Sequence, residues 1–267
     1  MTWVNLLTPA ACPPISHGVR NNEKSASMSD IDTVLGPAAS DDKLLRYRTT
    51  SLPSRPVLQS CHAPLNRTAA FVKRTEDIVL SLLLLFATAP LILLVSIAIK
   101  LESRGPVFFR QPRHGLKGSE IVIFKFRTMY AHLEDTLASC QTSRDDPRVT
   151  RVGGFLRRHS VDELPQLFNV LAGTMSLVGP RPHAPATTAG GLSLELAVPG
   201  YMTRHHVRPG ITGWAQVCGC RGNLDNVEKA IRRVEHDLYY IENWSLLLDL
   251  RIMMRTIGVI LHDDEAF

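Results

Sequence analysis

Two adjacent carboxylates, Asp162 and Glu163, stand in the stretch Arg157-Arg158-His159-Ser160-Val161-Asp162-Glu163-Leu164-Pro165-Gln166, with Arg148 and Arg151 ahead of them and Arg181 behind. An acidic pair ringed by fixed positive charge suits phosphate chemistry. The cations hold an anion that the carboxylates would otherwise repel, while a desolvated carboxylate attacks it or recruits a metal. The same residues also spell a capping box, Ser160-x-x-Glu163, in which Ser160 takes a first-turn N–H and Glu163 reaches back to the cap. In that reading Glu163 is structural and Asp162 sits where a helix dipole favours its ionised form. Both readings stand at this point.

The surrounding cations weigh toward chemistry. Lys125, Arg127, Arg148, Arg151, Arg157, Arg158 and Arg181 are more than a solvated face needs, and several adjoin Gly or Pro. A guanidinium on a rigid loop offers bidentate recognition of phosphate oxygens. Arg208, in Arg208-Pro209-Gly210-Ile211-Thr212-Gly213, is a further basic residue on a turn-rich element. His159, His183, His205 and His206 lack zinc-ligand spacing. There is no Walker A sequence, and Gly153-Gly154 completes no Rossmann fingerprint. Neither a Gly-x-Ser-x-Gly elbow nor a His-Glu-x-x-His helix occurs, which removes the usual serine hydrolase and zinc protease signals.

The elements that must position these groups follow from the rest of the chain. Its 267 residues suffice for one well-buried domain with appendages or for two small ones. A formal net charge of +5 favours polyanionic or membrane-surface partners, and only 6% aromatic content argues against a base-stacking platform, so no nucleic-acid partner is expected. Cys12, Cys61, Cys140, Cys218 and Cys220 are odd in number and scattered, and read as reduced thiols. The N-terminus has no basic region followed by an apolar core, so it does not read as a secretory signal. Residues 1–71 read as a disordered polar tail, within which Met28 could be the true start.

The character changes at Phe71-Val72-Lys73-Arg74. From Ile78 to Ile99 no charged residue occurs over roughly 22 positions, enough for a bilayer span. Pro90 falls inside that run and removes a helix hydrogen bond. Lys73 and Arg74 precede the run while Lys100, Arg104, Arg110 and Arg113 follow it, so the positive-inside rule draws both ends to the cytoplasmic face. A re-entrant helix hairpin over 72–104, broken at Pro90, satisfies both flanks; a single span kinked at the proline is the alternative. Residues 105–110 and 120–127 read as short strands around a turn at Gly115 to Gly118, and Met129 to Ala138 reads as helix. Ser160 to Leu171 reads as an amphipathic helix with Leu164, Leu167, Phe168 and Leu171 on its apolar face. Two helices close the chain, Asn226 to Ile241 and a strongly apolar one capped by Ser245, which suits either the core or a membrane interface. The expected fold class is α+β, mostly helical and membrane-associated with a small strand element. Residues 105–267 form its cytoplasm-facing domain.

Taken together and in order, several motifs resemble those of the bacterial sugar transferases, the monotopic polyprenyl-phosphate phosphoglycosyl transferases. They are Lys73-Arg74 with Asp77, Gly105-Pro106-Val107-Phe108-Phe109, Phe124-Lys125-Phe126-Arg127-Thr128-Met129, Asp162-Glu163-Leu164-Pro165-Gln166-Leu167, Met175-Ser176-Leu177-Val178-Gly179-Pro180-Arg181-Pro182 and Arg208-Pro209-Gly210-Ile211-Thr212-Gly213. The blocks Trp214-Ala215-Gln216-Val217 and Asp237-Leu238-Tyr239-Tyr240 most resemble the branch that moves glucose 1-phosphate to undecaprenyl phosphate. The resemblance implies a re-entrant membrane helix, a bacterial inner-membrane location and UDP-glucose as donor. It also implies that Asp162 is the nucleophile, forming an acyl-phosphate that carries the sugar, with UMP released. Undecaprenyl phosphate then accepts the sugar phosphate, the first membrane step of exopolysaccharide synthesis.

The resemblance further implies Mg2+ touching Asp162, with Glu163 orienting the metal or taking a proton. Arg157, Arg181, Lys125, Arg127 and Arg208 are the candidate phosphate-binding residues. Galactose or an N-acetylated sugar is an open alternative to glucose, a non-catalytic membrane-bound scaffold is the rival class, and a homodimer is left open. The chain departs from the family pattern at Ala89, where many relatives have Ser, across Ala184 to Val198, and at Cys220, where an aromatic residue is expected.

Overall fold

The computed structural model describes residues 66–135, 146–222, 224 and 226–262. The expected polar tail falls almost wholly outside them. Asn66 opens the first helix, α1 (Arg67–Glu102), its side chain accepting from the Ala69 amide at 2.8 Å. The helix therefore takes in residues 67–71, which composition had assigned to the tail. It runs 36 residues with Pro90 inside and no interruption, so the break expected at Pro90 is not seen as one. A proline removes one backbone bond, and a helix tolerates that loss by bending. Thr88 Oγ1 donates to the Leu84 carbonyl at 2.7 Å in the same turn. Such back-bonding also favours a bend over a break.

Both ends of α1 are seated on one domain while its middle is not. At the first end Arg74 donates to the Val170 and Leu171 carbonyls at 2.6 and 2.8 Å. Asp77 accepts from Ser176 Oγ and the Leu177 amide, both at 2.9 Å. At the second end Val95 and Ile99 enter a core cluster with Phe126 and Leu156. Between Ser81 and Val95 no residue is buried. α1 is long and apolar enough to cross a membrane.

After α1 comes the hairpin β1 (Phe108–His114) and β2 (Glu120–Phe126), antiparallel, with Phe108 opposite Phe126 and His114 opposite Glu120. The second strand and the turn fall where the sequence places them, whereas the first strand, expected over 105–110, starts at Phe108 and runs on to His114. Residues 129–138, expected as a helix, hold only a 3₁₀ turn at Ala131–Leu133 among the described residues. α2 (Arg151–Arg158) follows, capped by Thr150, whose side chain accepts from the Gly153 amide at 2.9 Å. Gly153 lies directly against the Thr128 carbonyl, where any Cβ would collide with backbone. That contact lets α2 pack tightly on the chain leaving β2.

The segment from Ser160 is not one helix. A 3₁₀ turn at Val161–Glu163 is followed by α3 (Gln166–Ala172), with Pro165 between. A proline fits the start of a helix because its missing N–H would be unpaired there anyway. Leu167 and Val170 are buried, whereas Phe168, expected on the apolar face, is exposed.

The remaining elements are β3 (Ser176–Val178), β4 (Thr188–Ala189), β5 (Leu192–Ser193), α4 (Leu194–Ala197), β6 (Gly210–Thr212), α5 (Trp214–Val217), α6 (Val227–Glu242) and α7 (Leu246–His262). β3 and β6 pair in parallel, and β4 pairs with β5 in an antiparallel ladder. Beside the first ladder, Gly179 and Gly210 pass so closely that a Cβ on either would strike the other strand's backbone. Ser245 caps α7 through the Leu248 amide, as expected, and Asn226 caps α6 through the Lys229 amide. A second core gathers Leu194, Ala197, Val198, Tyr201, Ala230 and Val234. Cys220 is a buried free thiol. The fold is thus mixed, mostly helical with small strands.

Candidate active site

Asp162 and Glu163 share the short 3₁₀ turn between α2 and α3. Ser160, just ahead of it, is held in the left-handed region at φ 54° and makes no capping bond with its side chain. Its hydroxyl instead accepts from Arg221 Nη2 at 3.2 Å. The capping box legible in the sequence therefore does not form. A side chain rarely adopts that backbone without cause, and here it turns the chain so that two successive carboxylates enter one basic pocket.

The two carboxylates differ completely in their bonding. Glu163 is saturated: Arg181 grips it with two bonds, 2.6 and 3.1 Å, and Lys125 Nζ lies 2.9 Å from Oε1. Burial alone would raise its pKa, but Arg181 and Lys125 outweigh that and hold it well below the ordinary carboxylate value. Asp162 is 8% exposed and, among the described residues, its carboxylate makes no hydrogen bond or ion pair. Burial pushes its pKa up to about 6; Lys125 pulls it down, the neighbouring Glu163 charge raises it, and Arg157 and Arg181 lower it. The result is a fixed anion that organises cations, next to an uncommitted carboxylate that titrates near neutrality.

The cations are placed by the fold. Lys125 comes from β2, opposite Phe109. Arg157 lies in the last turn of α2, where its Nε donates to Thr128 Oγ1 at 2.8 Å. It stands close enough to Asp162 for each charge to shift the other's proton affinity. Arg181 sits in the loop after β3, and that loop is braced from behind. Arg204, almost fully buried, donates to the Arg181 carbonyl at 2.6 Å and to His183 Nδ1 at 2.7 Å, and pairs with Asp237 at 2.8 Å. Arg113 reaches the Pro182 carbonyl at 3.4 Å. Burial and the surrounding arginines keep His183 neutral at physiological pH, with its pKa well below the usual value.

The structure brings Asp162, Glu163, Lys125, Arg157 and Arg181 together, but not Arg127 or Arg208. Arg127 is 1% exposed and donates to the carbonyls of Ile99, Ser103 and Arg104 at 3.4, 2.8 and 3.0 Å, closing the C-terminal end of α1. Arg208 is exposed at the opposite end of α3 from Asp162, its Nε on the Gly173 carbonyl at 2.8 Å. Both look like phosphate binders in the sequence because a helix C-terminus and a phosphate offer the same thing to a guanidinium, clustered oxygen acceptors. Arg148 is held by a bidentate pair with Asp146, Nε on Oδ1 at 2.9 Å and Nη2 on Oδ2 at 2.6 Å. The bracing pair Arg204–Asp237 was missed. Its one visible signal was a charge, Asp237, on the inward face of an amphipathic helix.

No cluster of three or more His, Cys, Asp or Glu capable of holding a metal occurs among the described residues. Mg2+ characteristically binds through one or two carboxylates and is completed by substrate phosphates and water. Asp162 supplies one uncommitted carboxylate of that kind. The donor set fits an ion shared with a phosphate substrate, and not an all-protein cage.

The model of the bacterial sugar transferase family matches residues 68–263. An undecaprenyl-phosphate glucose phosphotransferase of Komagataeibacter xylinus is 54% identical over 204 residues, covering 76% of this chain and 38% of that protein. The UDP-glucose:undecaprenyl-phosphate glucose-1-phosphate transferase of Escherichia coli K12 is 47% identical over 214 residues, 80% of this chain and 45% of its own length. A UDP-N-acetylgalactosamine-undecaprenyl-phosphate N-acetylgalactosaminephosphotransferase of Aeromonas hydrophila is 45% identical over 193 residues, 72% of this chain and 44% of that protein. The chain spans less than half the length of each of these three relatives. With the family's motifs at the site and the match running from α1 to α7, the chain belongs to the bacterial sugar transferase family.

Proposed function

We propose that the protein transfers glucose 1-phosphate from UDP-glucose to undecaprenyl phosphate, releasing UMP, with Asp162 as covalent nucleophile. The observation that carries this is the contrast between a saturated Glu163 and an unbonded, buried Asp162 in one basic pocket. A nucleophile must have a free lone pair, and Asp162 has one. An oxygen of Asp162 attacks the sugar-bearing phosphorus of the donor. The bond from that phosphorus to the bridging oxygen breaks, and UMP leaves with the electron pair. A phosphate oxygen of undecaprenyl phosphate then attacks the same phosphorus, forming the diphosphate and returning the Asp162 carboxylate.

Arg157, Arg181 and Lys125 stabilise charge on the phosphoryl oxygens in both steps, already oriented by Thr128 and Glu163. Glu163 acts as the anchor of these cations, since a carboxylate so firmly ionised and paired is a poor proton carrier. Bound Mg2+, held by Asp162 and the donor diphosphate, would supply charge neutralisation for the leaving UMP. Glucose is favoured by the names of two of the relatives above, and the N-acetylgalactosamine name of the third keeps that sugar as the alternative.

The same reading puts the apolar middle of α1 in the inner membrane as a re-entrant element, with the domain on the cytoplasmic side. Seating of both ends on one domain, with nothing buried between Ser81 and Val95, supports entry and exit through one face. The test uses detergent-purified protein with UDP-glucose labelled at the sugar-linked phosphorus. Stoichiometric UMP release with acid-resolvable label on a peptide containing Asp162 is the expected result. Sustained turnover by Asp162→Asn would refute the mechanism.

A further inference from the structure

Two arginines beside Arg181 are withdrawn from water without a carboxylate of their own. Arg113, half-buried on β1, donates to Gln111 Oε1 and, at a long 3.4 Å, to the Pro182 carbonyl. Arg233, 5% exposed on α6, donates to the Gly222 carbonyl at 2.8 Å. A guanidinium carries five N–H donors, and in both residues Nε is sealed from water with no partner. The carboxylates that act on them are already taken, Glu163 by Arg181 and Lys125 and Asp237 by Arg204. Burial, and after it the Arg181 charge, brings the pKa of each down to about 10, so both stay charged at neutral pH. Buried cations without a fixed anion are costly, and a phosphate offers guanidiniums both the charge and the clustered oxygens they bind best.

Their position says which phosphate. Arg113 is tied to the residue after Arg181, and Arg233 lies one helical turn from Asp237, whose partner Arg204 holds the Arg181 carbonyl. Gly222, the acceptor of Arg233, follows Arg221, which reaches Ser160 Oγ at 3.2 Å, two residues from Asp162. The Arg181 side chain is 36% exposed, so the group opens to solvent there. Lys125, Arg157 and Arg181 act on the Asp162 charge, whereas Arg113 and Arg233 act on Arg181. The cations thus form two sets that share Arg181. A diphosphate asks for that order, because the phosphorus under attack and the phosphate that leaves are joined in sequence, the leaving oxygen in line and away from the nucleophile. We propose that Arg113 and Arg233, together with Arg181, hold the phosphate that departs as UMP, while Lys125 and Arg157 hold the sugar-bearing phosphate over Asp162. This rests on the donor and nucleophile proposed above. Guanidiniums already fixed there stabilise the charge that UMP gains as the bond to the bridging oxygen breaks.

The test uses the full chain in detergent with Asp162→Asn, which cannot form the intermediate, and displaces radiolabelled UDP-glucose with UMP or with glucose 1-phosphate, the two halves of the donor. With Arg113→Gln or Arg233→Gln added singly, UMP should compete ~10-fold or more less well, while glucose 1-phosphate stays within ~2-fold of the parent. Arg113→Lys and Arg233→Lys keep the charge without the fork and stand in for a Gln variant that does not fold. They should lose UMP affinity several-fold, again with glucose 1-phosphate unmoved. Equal losses of both competitors, with a lower melting temperature, would show that the two arginines only brace the loop at Arg181 and would overturn the proposal. UMP affinity unchanged in the folded variants would overturn it equally. A parent protein that binds no UDP-glucose, or from which UMP displaces none, would remove the donor reading itself, and this inference with it.

Discussion

Arg181 closes on Glu163 through both carboxylate oxygens, at 2.6 and 3.1 Å, and leaves the adjacent Asp162 untouched. One residue of offset in a 3₁₀ turn thus separates an anion used as structure from an anion left for chemistry. The division arises because Ser160 enters in the left-handed region and Arg181 arrives on a loop tied down by Arg204 and the β3–β6 ladder.

Replacing Glu163 with Gln should damage this arrangement without touching the nucleophile. Removing one partner of a buried ion network leaves the others uncompensated, at a cost of about 3–5 kcal/mol. The folded pKa of Glu163 is depressed, so its stabilisation is present above the unfolded value near 4.5 and lost as pH falls through the folded one. Thermal melts should therefore show the variant less stable at neutral pH, with the gap from wild type closing in acid. Its residual activity should retain label on Asp162. A variant that melts like wild type at neutral pH would mean that Glu163 organises nothing.

Asp162→Asn should behave in the opposite way on stability. The folded state favours neutral Asp162, so ionisation costs stability as pH rises through the unfolded value near 4, and the cost is complete above about 6. Removing the charge should leave the protein as stable as wild type at neutral pH or more so, by up to about 3 kcal/mol. Phosphosugar transfer should fall by ~10³-fold or more. Calorimetry and burst-phase UMP assays on one preparation separate the two effects.

The same elevated pKa predicts a pH profile. Only ionised Asp162 can attack, so the single-turnover rate of UMP release should be flat above about pH 6 and fall roughly tenfold per unit below it. In Glu163→Gln the like charge beside Asp162 is gone, and Lys125 and Arg181 are released from their partner. The acidic limb should then move to lower pH. Rapid-quench rates between pH 4.5 and 8 (about two units either side of the break) would show the displacement.

The sequence carried most of the site because the site is local. Asp162, Glu163 and Arg157 lie in one short stretch, and Lys125 and Arg181 sit beside strand and turn signals that the structure bears out. Which carboxylate is free was not legible, since it depends on a left-handed Ser160 and on Arg181 arriving from another element. For the same reason the sequence groups Arg127 and Arg208 with the site although the structure sets them at helix ends: an arginine reads alike whether it serves substrate or a helix end. The hairpin β1–β2 and the two closing helices followed from periodicity and caps. The segment 160–171 did not, because Pro165 divides a pattern that looks continuous in apolar spacing.

Arg127 supplies the sharpest separation of structure from chemistry. Its guanidinium donates to three carbonyls at the end of α1 and to Ser103 Oγ at 3.0 Å, and it is sealed from water. Replacing it with Met keeps the apolar stem but orphans these acceptors, each costing about 1–3 kcal/mol if water cannot reach it. Arg127→Met should lower the melting temperature sharply and loosen the second root of α1, visible as faster amide exchange at Ile99 to Arg104. The folded fraction should keep a wild-type KM for UDP-glucose, because Arg127 touches nothing at Asp162. Arg208→Ala, losing one exposed bond to Gly173, should change stability by less than ~1 kcal/mol and leave that KM unchanged. A large rise in KM in Arg127→Met, with normal stability, would return Arg127 to the phosphate site.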